Sequence, residues 1–143
     1  MKLKQMQFNQ PEAVDNSLDE RRDKRKTAED LFSAAIKVRD NFTCRKCGQS
    51  HGVMDTAHFI TRGNKKVQFE FINGFTLCRY KCHVWAHRER IEFEAWVKDQ
   101  LGEKKFYALV QFANTVWKET VEFYDEKILE LRTYIKKNAK RGG

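Results

Sequence analysis

Apolar residues recur at helical intervals near both ends of the chain and at strand-like intervals in its middle. After Thr27 they fall at steps of three and four residues, which is the pattern of an amphipathic helix. These positions are Ala28, Leu31, Phe32, Ala35, Ile36 and Val38. Threonine is a favoured N-cap residue, so the pattern predicts a helix from Thr27 to about Arg39.

The segment from Asn41 to Cys82 has no helical period. It contains two short runs that favour β-structure, VMDTAHFI at 53–60 and VQFEFI at 67–72. The basic sequence TRGNKK lies between the two runs and is rich in turn-forming residues. We therefore predict two strands joined by a basic turn.

After Cys82 the helical period returns and predicts two helices. The first runs from about His83 to Leu101 and stops at Gly102, and a second long helix follows. Its apolar stripe comprises Phe106, Val110, Ala113, Trp117, Val121, Tyr124, Ile128, Leu131 and Ile135. Such a stripe needs a partner surface, which is either the 28–38 helix of the same chain or a second copy in a homodimeric coiled coil.

These patterns divide the chain into three parts and predict an α+β fold. Residues 1–26 carry mixed charges, including DERRDKRK at 19–26, and few large apolar residues, so we expect a polar, partly disordered N-terminal arm; the alternative is a solvated helix. Residues 27–101 form the core. Residues 102–143 form a long helical extension that ends in the basic tail KKNAKRGG.

Composition and charge narrow the range of functions. With 34% charged residues and no apolar stretch of membrane-spanning or signal-peptide length, the chain is expected to be cytoplasmic. The formal net charge is +8, and ten Lys or Arg but only four Asp or Glu lie between Arg39 and Arg90. All four cysteines and all four histidines lie in that same region. The coincidence favours a polyanionic partner and a chemical site there.

The cysteines form two close pairs, Cys44-x2-Cys47 and Cys78-x3-Cys82. Close pairs on tight turns can present four thiolates to one Zn²⁺ ion in a tetrahedron. The alternative is free or disulfide-bonded cysteines, which an intracellular location disfavours. The pattern predicts a structural zinc cluster with all four coordination positions filled, so any catalysis would need a second metal ion.

The histidines are less informative when each is considered alone. His83 and His87 are four residues apart on a predicted helix and therefore project from one face. His58 lies within an apolar strand, where a single histidine is usually a hydrogen-bonded packing residue. His51 lies in the loop QSHG and is expected at the surface.

Together, these residues carry a family resemblance. The series His58-x14-Asn73-x9-His83-x3-His87, interleaved with CxxC and with NGFTLCRYKCHVWAH, resembles the HNH endonuclease family. The resemblance implies a zinc-stapled ββα-metal core and a one-metal DNase. More loosely, MDTAHFITRG and WVKDQLGEKKFYALV followed by a charged helix resemble the NinG-type phage recombination nucleases. That likeness implies a phage protein, in the host cytoplasm, acting on branched or recombination intermediates.

The resemblance implies a role for each residue. His58 is the expected general base, because imidazole titrates near neutral pH, and Asn73 is expected to orient it. His83 is the expected first ligand of a catalytic Mg²⁺ or Mn²⁺ ion. Ala57 stands where family members usually carry Asp or His as a ligand. Asp55 and His87 are the candidates to complete the coordination, and the alternative for each is a turn cap or an exposed polar residue.

Basic residues around the predicted site are candidates for contacts with DNA phosphates. They are Arg62, Lys65, Lys66, Arg79, Lys81, Arg88 and Arg90. The alternative for each of them is a solubilising charged surface. At the level of function, the competing hypothesis is a non-catalytic zinc-ribbon module that binds DNA or a protein partner.

Overall fold

The structure is a computed structural model that describes the backbone of residues 2–142 and the side chains of residues 18–139. It combines helices with a small antiparallel sheet, so the predicted α+β class holds. In chain order the elements are α1 (Lys2–Arg39), β1 (Met54–His58), β2 (Gly74–Cys78), α2 (Val84–Arg88), α3 (Arg90–Leu101), α4 (Glu103–Ala113) and α5 (Val121–Gly142). Short turns of 3-10 helix (Phe71–Asn73) and π-helix (Arg79–His83) flank β2.

Helix α1 passes through Thr27 without interruption, so the predicted N-cap is wrong. Thr27 Oγ1 donates to the carbonyl of Asp23 (3.1 Å), as a threonine inside a helix commonly does. The polar segment 18–26 is ordered because it pairs with α5, for example through Lys24 Nζ and Asp125 Oδ1 at 2.7 Å. Residues 18–26 are therefore helical, which agrees with the solvated-helix alternative, and the side chains of 1–17 lie outside the described residues.

The sheet has two antiparallel strands, with Met54 opposite Cys78 and His58 opposite Gly74. The first predicted strand is confirmed, but the second is wrong, because residues 67–72 form turns. Apolar and polar residues alternate at 67–72 as they would in a strand, but the apolar side chains pack into two different cores. Val67 belongs to the core of the sheet, whereas Phe69 packs with α1 and α5.

Two hydrophobic cores lie side by side. The sheet core contains Ala57, Phe59, Val67, Phe75, Leu77, Phe93, Val97, Phe106 and Leu109 together with three of the cysteines. The helix core contains Ala28, Phe32, Ala35, Ile36, Phe69, Tyr124 and Leu131. Helix α1 packs closely on the start of β2, because a Cβ atom at Gly74 would lie 2.8 Å from the ring of Phe32. The strands are thereby held between the two cores.

The C-terminal half is more segmented than its period predicted. The helix expected at 83–101 is interrupted at Glu89, whose φ of −110° and ψ of 68° are not helical. Gly102, with φ of 82°, ends α3 as predicted. The second long helix is also divided, because 114–120 are non-helical. The two halves of its stripe cover different cores: Phe106 lies in the sheet core and Tyr124 in the helix core.

Helix α5 therefore packs along α1 of the same chain, which is the intramolecular alternative for the stripe. The homodimer through the C-terminal helix stays a separate prediction. Within the residues described here, no helix is both long enough and apolar enough to cross a membrane.

Candidate functional site

The four cysteines converge. Their Sγ atoms all lie within 4.8 Å of one another, and Cys44, Cys78 and Cys82 are buried while Cys47 is exposed. Four thiolates around Zn²⁺, each about 2.3 Å from the ion, are roughly 3.8 Å apart. The Sγ atoms of Cys47 and Cys78 lie 3.8 Å apart. The cluster thus fits a structural metal ion such as zinc.

Local backbone geometry prepares the first cysteine pair for a metal. Gly48 adopts a φ of 77°, and its amide closes the turn on the carbonyl of Cys44 (2.9 Å). Burial raises the pKa of Cys44, but hydrogen bonds from the amides of Cys47, Cys78 and Lys46 outweigh it and bring the pKa to about 7. These amides stabilise the thiolate, which is the form that binds zinc.

A cleft of about 530 Å³ lies between α1, β1 and α2. It brings together predicted site residues from three separate segments of the chain: Asp55 and His58 of β1, His83 of the π-helical turn and His87 of α2. The titratable residues in its lining are Glu29, Lys37, Asp55, His58, Arg62, His83, His87 and Arg90.

His58 is held in one orientation at the end of β1. Its Nε2 lies 3.0 Å from the carbonyl oxygen of Gln68, and its ring packs 5.3 Å from the ring of Phe32. A carbonyl only accepts, so Nε2 carries the proton and Nδ1 of the neutral ring has a free lone pair. Burial lowers the pKa of His58 to about 4, with a further contribution from the positive charge of Arg62. His58 is therefore neutral at pH 7, but its pKa differs from the near-neutral value expected of this imidazole from the sequence, and it is a weaker base.

Asn73 fastens the segment that follows His58. Its side chain is fully buried; Oδ1 accepts from the amide of Ile60 (2.7 Å), and Nδ2 donates to the carbonyls of Ile60 (2.9 Å) and Val67 (3.2 Å). Its own carbonyl accepts from the amide of Phe59 (3.1 Å). These contacts hold the backbone of residues 59 and 60, directly after His58, beside Asn73.

A second group of contacts in the cleft runs from Asp55 through His83 to His87. Asp55 Oδ2 lies 2.9 Å from His83 Nδ1, and His83 Nε2 lies 3.1 Å from His87 Nε2. Hydrogen bonds from Arg79, together with His83, outweigh burial and lower the pKa of Asp55. The ionised carboxylate only accepts, so His83 Nδ1 donates to it and His83 Nε2 points toward His87 Nε2.

The spacing of the two imidazoles suits one shared ion. Ligands about 2.1 Å from a metal and at right angles to each other are roughly 3.0 Å apart, close to the distance between His83 Nε2 and His87 Nε2. Burial lowers the pKa of His87, which favours its neutral, ligating form. Asp55 takes a different position from the direct ligand we predicted, because it contacts His83 Nδ1 and Arg79.

A second ion would accordingly have few protein ligands. In the described part of the chain, the cysteines are the only group of three or more His, Cys, Asp or Glu side chains whose ligand atoms converge. An ion on His83 and His87 would take its other ligands from water or a substrate, which is the open arrangement that catalysis requires.

The predicted basic residues divide into two groups. Four have exposed side chains near the histidines: Arg62 and Arg90 line the cleft, Arg88 lines its shallow continuation beyond His83, and Lys81 follows β2. Arg90 Nη2 also donates to the carbonyl of Phe59 (2.9 Å), so its position is fixed.

The other three basic residues have partners within the protein. Lys66 is only 7% exposed, and its Nζ lies 4.1 Å from the ring centroid of Phe112. The predicted phosphate contact of Lys66 is therefore wrong, because apolar packing has buried it. Lys65 faces Glu119 at 3.8 Å, and Arg79 pairs with Asp55 through Nη2 at 2.8 Å.

Sequence reasoning missed the wall that α1 contributes to the cleft. Glu29, Ser33 and Lys37 recur every four residues on α1 and line the cleft together. The signal was present as a polar stripe beside the apolar one. Gln68 was also missed, because it lies in a segment predicted to be a strand. His51 is exposed, as expected.

In comparisons with known proteins, no family model, no curated protein and no solved structure matches the chain. The class defined by fold and site is therefore an α+β protein with a four-cysteine cluster that could hold zinc and a neighbouring histidine-lined cleft.

Proposed function

We propose that this chain is a metal-dependent DNA endonuclease of the HNH type that hydrolyses phosphodiester bonds. The observation that carries the proposal is the convergence in one cleft of His58 and of the His83–His87 pair. A potential base and a potential metal site opening on the same cleft are the two parts that hydrolysis of a phosphodiester at neutral pH needs.

The cysteine cluster would have a structural role in this enzyme. Cys82 directly precedes His83, so a zinc ion on the four thiolates would fix the turn that presents His83 to the cleft. Since four thiolates complete a tetrahedron, this zinc would have no open position for a substrate.

His58 would act as the general base. Its Nδ1 would take a proton from water, the resulting hydroxide oxygen would attack phosphorus, and the bond from phosphorus to the 3′ oxygen would break. Arg62 and Arg90 would hold the phosphate in the cleft. A divalent ion on His83 and His87 would supply positive charge to the scissile phosphate and the leaving oxygen. Of Mg²⁺ and Mn²⁺, imidazole ligands favour Mn²⁺.

The DNA strand would follow the exposed basic side chains from the cleft to its continuation. Arg62 and Arg90 line the cleft together with His83 and His87, and Arg88 lines the continuation that shares these two histidines. Such contacts are with phosphates and carry no sequence preference. The likeness to NinG-type proteins narrows the proposed substrate to branched or recombination intermediates. Equal cleavage of linear duplex and four-way junctions at matched salt would contradict that narrower proposal.

One observation favours a second candidate, a non-catalytic zinc-ribbon module that binds DNA or a protein. Asp55, the acidic side chain nearest the histidine pair, already accepts hydrogen bonds from Arg79 and from His83. A cleft in which Asp55 is held by Arg79 and His83 in this way could serve as an inert binding surface.

Nicking of supercoiled plasmid separates the two candidates. We expect purified zinc-loaded protein to nick plasmid in Mn²⁺ or Mg²⁺ and to stop when EDTA is added, and the His58→Ala variant to bind DNA without nicking it. A wild-type protein that binds the plasmid but leaves it intact in both metals would establish the binding module instead.

A further inference from the structure

A buried glutamine connects His58 to helix α1. The side chain of Gln68 is 1% exposed, and its main-chain carbonyl is the hydrogen-bond partner of His58 Nε2 at 3.0 Å. Its amide Nε2 donates to Glu29 Oε2 at 2.5 Å. The chain of contacts therefore runs from the Glu29 carboxylate through Gln68 to the imidazole of His58.

Glu29 decides how the Gln68 amide is oriented. A carboxylate only accepts, so it must face the amide nitrogen of Gln68, and the amide oxygen then points away. Among the described residues Gln68 Oε1 is buried without a hydrogen-bond partner. The contact with Glu29 is accordingly the one hydrogen bond that holds this side chain, and its loss would leave a buried amide with no partner.

The main chain beside Gln68 is held by the buried side chains of Val67 and Phe69 and by hydrogen bonds from the Glu70 amide and Asn73 Nδ2 to the Val67 carbonyl. Residues 67–69 lie in turns between Asn64 and Phe71 rather than in a strand. A glutamine that shifted to find new partners would carry its own carbonyl away from His58 Nε2. The imidazole could then exchange tautomers, and its basic nitrogen would no longer face the cleft consistently.

We propose that Glu29 of α1 is a positioning residue for His58, acting through Gln68 to hold the imidazole with its Nε2 protonated and its Nδ1 available. The inference rests on the proposed function for its effect on cleavage, but its structural part concerns His58 alone. Glu29 lies on α1, outside the segment from His58 to His87 that resembles the HNH family, so this role would extend the site to α1. The carboxylate of Glu29 also raises the pKa of His58 against the dominant effect of burial, which favours a stronger base.

A double-mutant cycle with a matched control tests the effect on cleavage. Glu29→Ala should lower kcat about tenfold with KM within about twofold of wild type, because an unfixed base loses part of its catalytic contribution. Glu29→Gln keeps an acceptor and should restore kcat to within about threefold. In a His58→Ala background the same Glu29→Ala change should alter the residual kcat less than about twofold. Asp30→Asn, an exposed neighbour paired only with Lys26, is the control and should behave as wild type.

Long-range ¹H–¹⁵N NMR of the His58 ring tests positioning without any cleavage. The wild type and Glu29→Gln should show the Nε2-protonated tautomer, and Glu29→Ala a mixture of tautomers in a chain that remains folded. A single unchanged tautomer in Glu29→Ala would overturn the proposal, as would an equal loss of kcat with and without His58. If the wild type cleaves no DNA, the proposed function fails, while the tautomer result still decides whether Glu29 positions His58.

Discussion

The cysteine cluster and the histidine cleft adjoin each other in this chain. They differ in whether their potential metal ligands are enclosed by one another or open to a cleft. The four Sγ atoms converge within 4.8 Å and three of the cysteines are buried. The two histidine nitrogens, 3.1 Å apart, instead face a cleft of about 530 Å³. A closed set of ligands can only hold a fold together, whereas an open pair leaves positions for water and phosphate. Chemistry is therefore expected at the histidines and stability at the cysteines.

Removing the metal from the cysteine cluster should produce the largest effect and would test the stabilising half of the comparison. We expect one zinc per chain by elemental analysis. Chelation or Cys78→Ser should cost on the order of 10 kcal/mol of folding free energy, because the sheet core would lose its metal and retain adjacent thiols. Thermal unfolding by circular dichroism measures this loss, with His51→Ala as an exposed control. A metal-free protein that melts cooperatively at the wild-type temperature would show that the cluster is not structural.

Asn73→Ala should produce the next largest loss of stability, about 3 kcal/mol. The substitution removes the partner of the Ile60 amide and of the Ile60 carbonyl, and it removes one of two donors to the Val67 carbonyl, which keeps the amide of Glu70. Urea denaturation measures the change, and Asn114→Ala, on an exposed residue after α4, should change it by less than about 0.5 kcal/mol. Equal stability of the two variants would mean that Asn73 does not fasten the segment after His58.

The pH dependence of stability tests whether His58 is buried as a neutral base. Its pKa is lowered from 6.5 to about 4 in the folded chain, so between these values the unfolded chain binds a proton that the folded chain does not. The contribution of His58 to the free energy of unfolding is therefore fully present above pH 6.5 and is lost as the pH drops toward 4. The loss is about 2 kcal/mol between pH 7 and pH 5.

Comparison with His58→Gln isolates this contribution, because glutamine can still donate to the Gln68 carbonyl but does not titrate. Urea unfolding at pH 7 and pH 5 should show a loss in wild type that exceeds the loss in the variant by about 2 kcal/mol. Parallel pH profiles for the two proteins would place His58 in a solvated environment and contradict its burial beside Phe32.

The smallest expected effect separates exposed from buried basic residues. Arg62→Gln should weaken DNA binding a few-fold and lower the slope of log affinity against log salt by about one, since it removes one phosphate contact. Lys66→Gln should leave that slope unchanged, because Lys66 is buried against Phe112. Fluorescence anisotropy over a range of salt concentrations measures both slopes. Identical slopes for wild type and Arg62→Gln would remove the cleft from the DNA-binding surface.

The two sites also differ in how far the sequence predicts them. Close pairs of cysteines specify a metal cluster by spacing alone, because each pair lies on one short turn. The cleft depends on contacts between distant segments. Asp55 was expected to bind a metal directly, but its placement against Arg79 and His83 depends on how β1 meets the turn after β2.

Secondary structure was predictable where one face of an element met one core. The helical period before Arg39 and the Gly102 stop follow from local sequence. The predictions for segment 67–72 and for the stripe from Phe106 to Ile135 were wrong, because the apolar side chains of each pack into two different cores. A period shows that residues share a face, but it does not show that they share a neighbour. Glu29 and Gln68 were missed for this reason, since their role arises only when α1 packs beside His58.

Plasmid nicking in Mn²⁺ tests whether this chain is an endonuclease with His58 as its general base. The rate of zinc-loaded His58→Ala is measured beside those of wild type and His51→Ala. Loss of a general base should reduce the rate by about 10² to 10⁴-fold, while the exposed His51 should be dispensable. We expect full activity in His51→Ala and almost none in His58→Ala, with both variants folded and loaded with zinc. Equal nicking by all three proteins, or none by any of them, would contradict it.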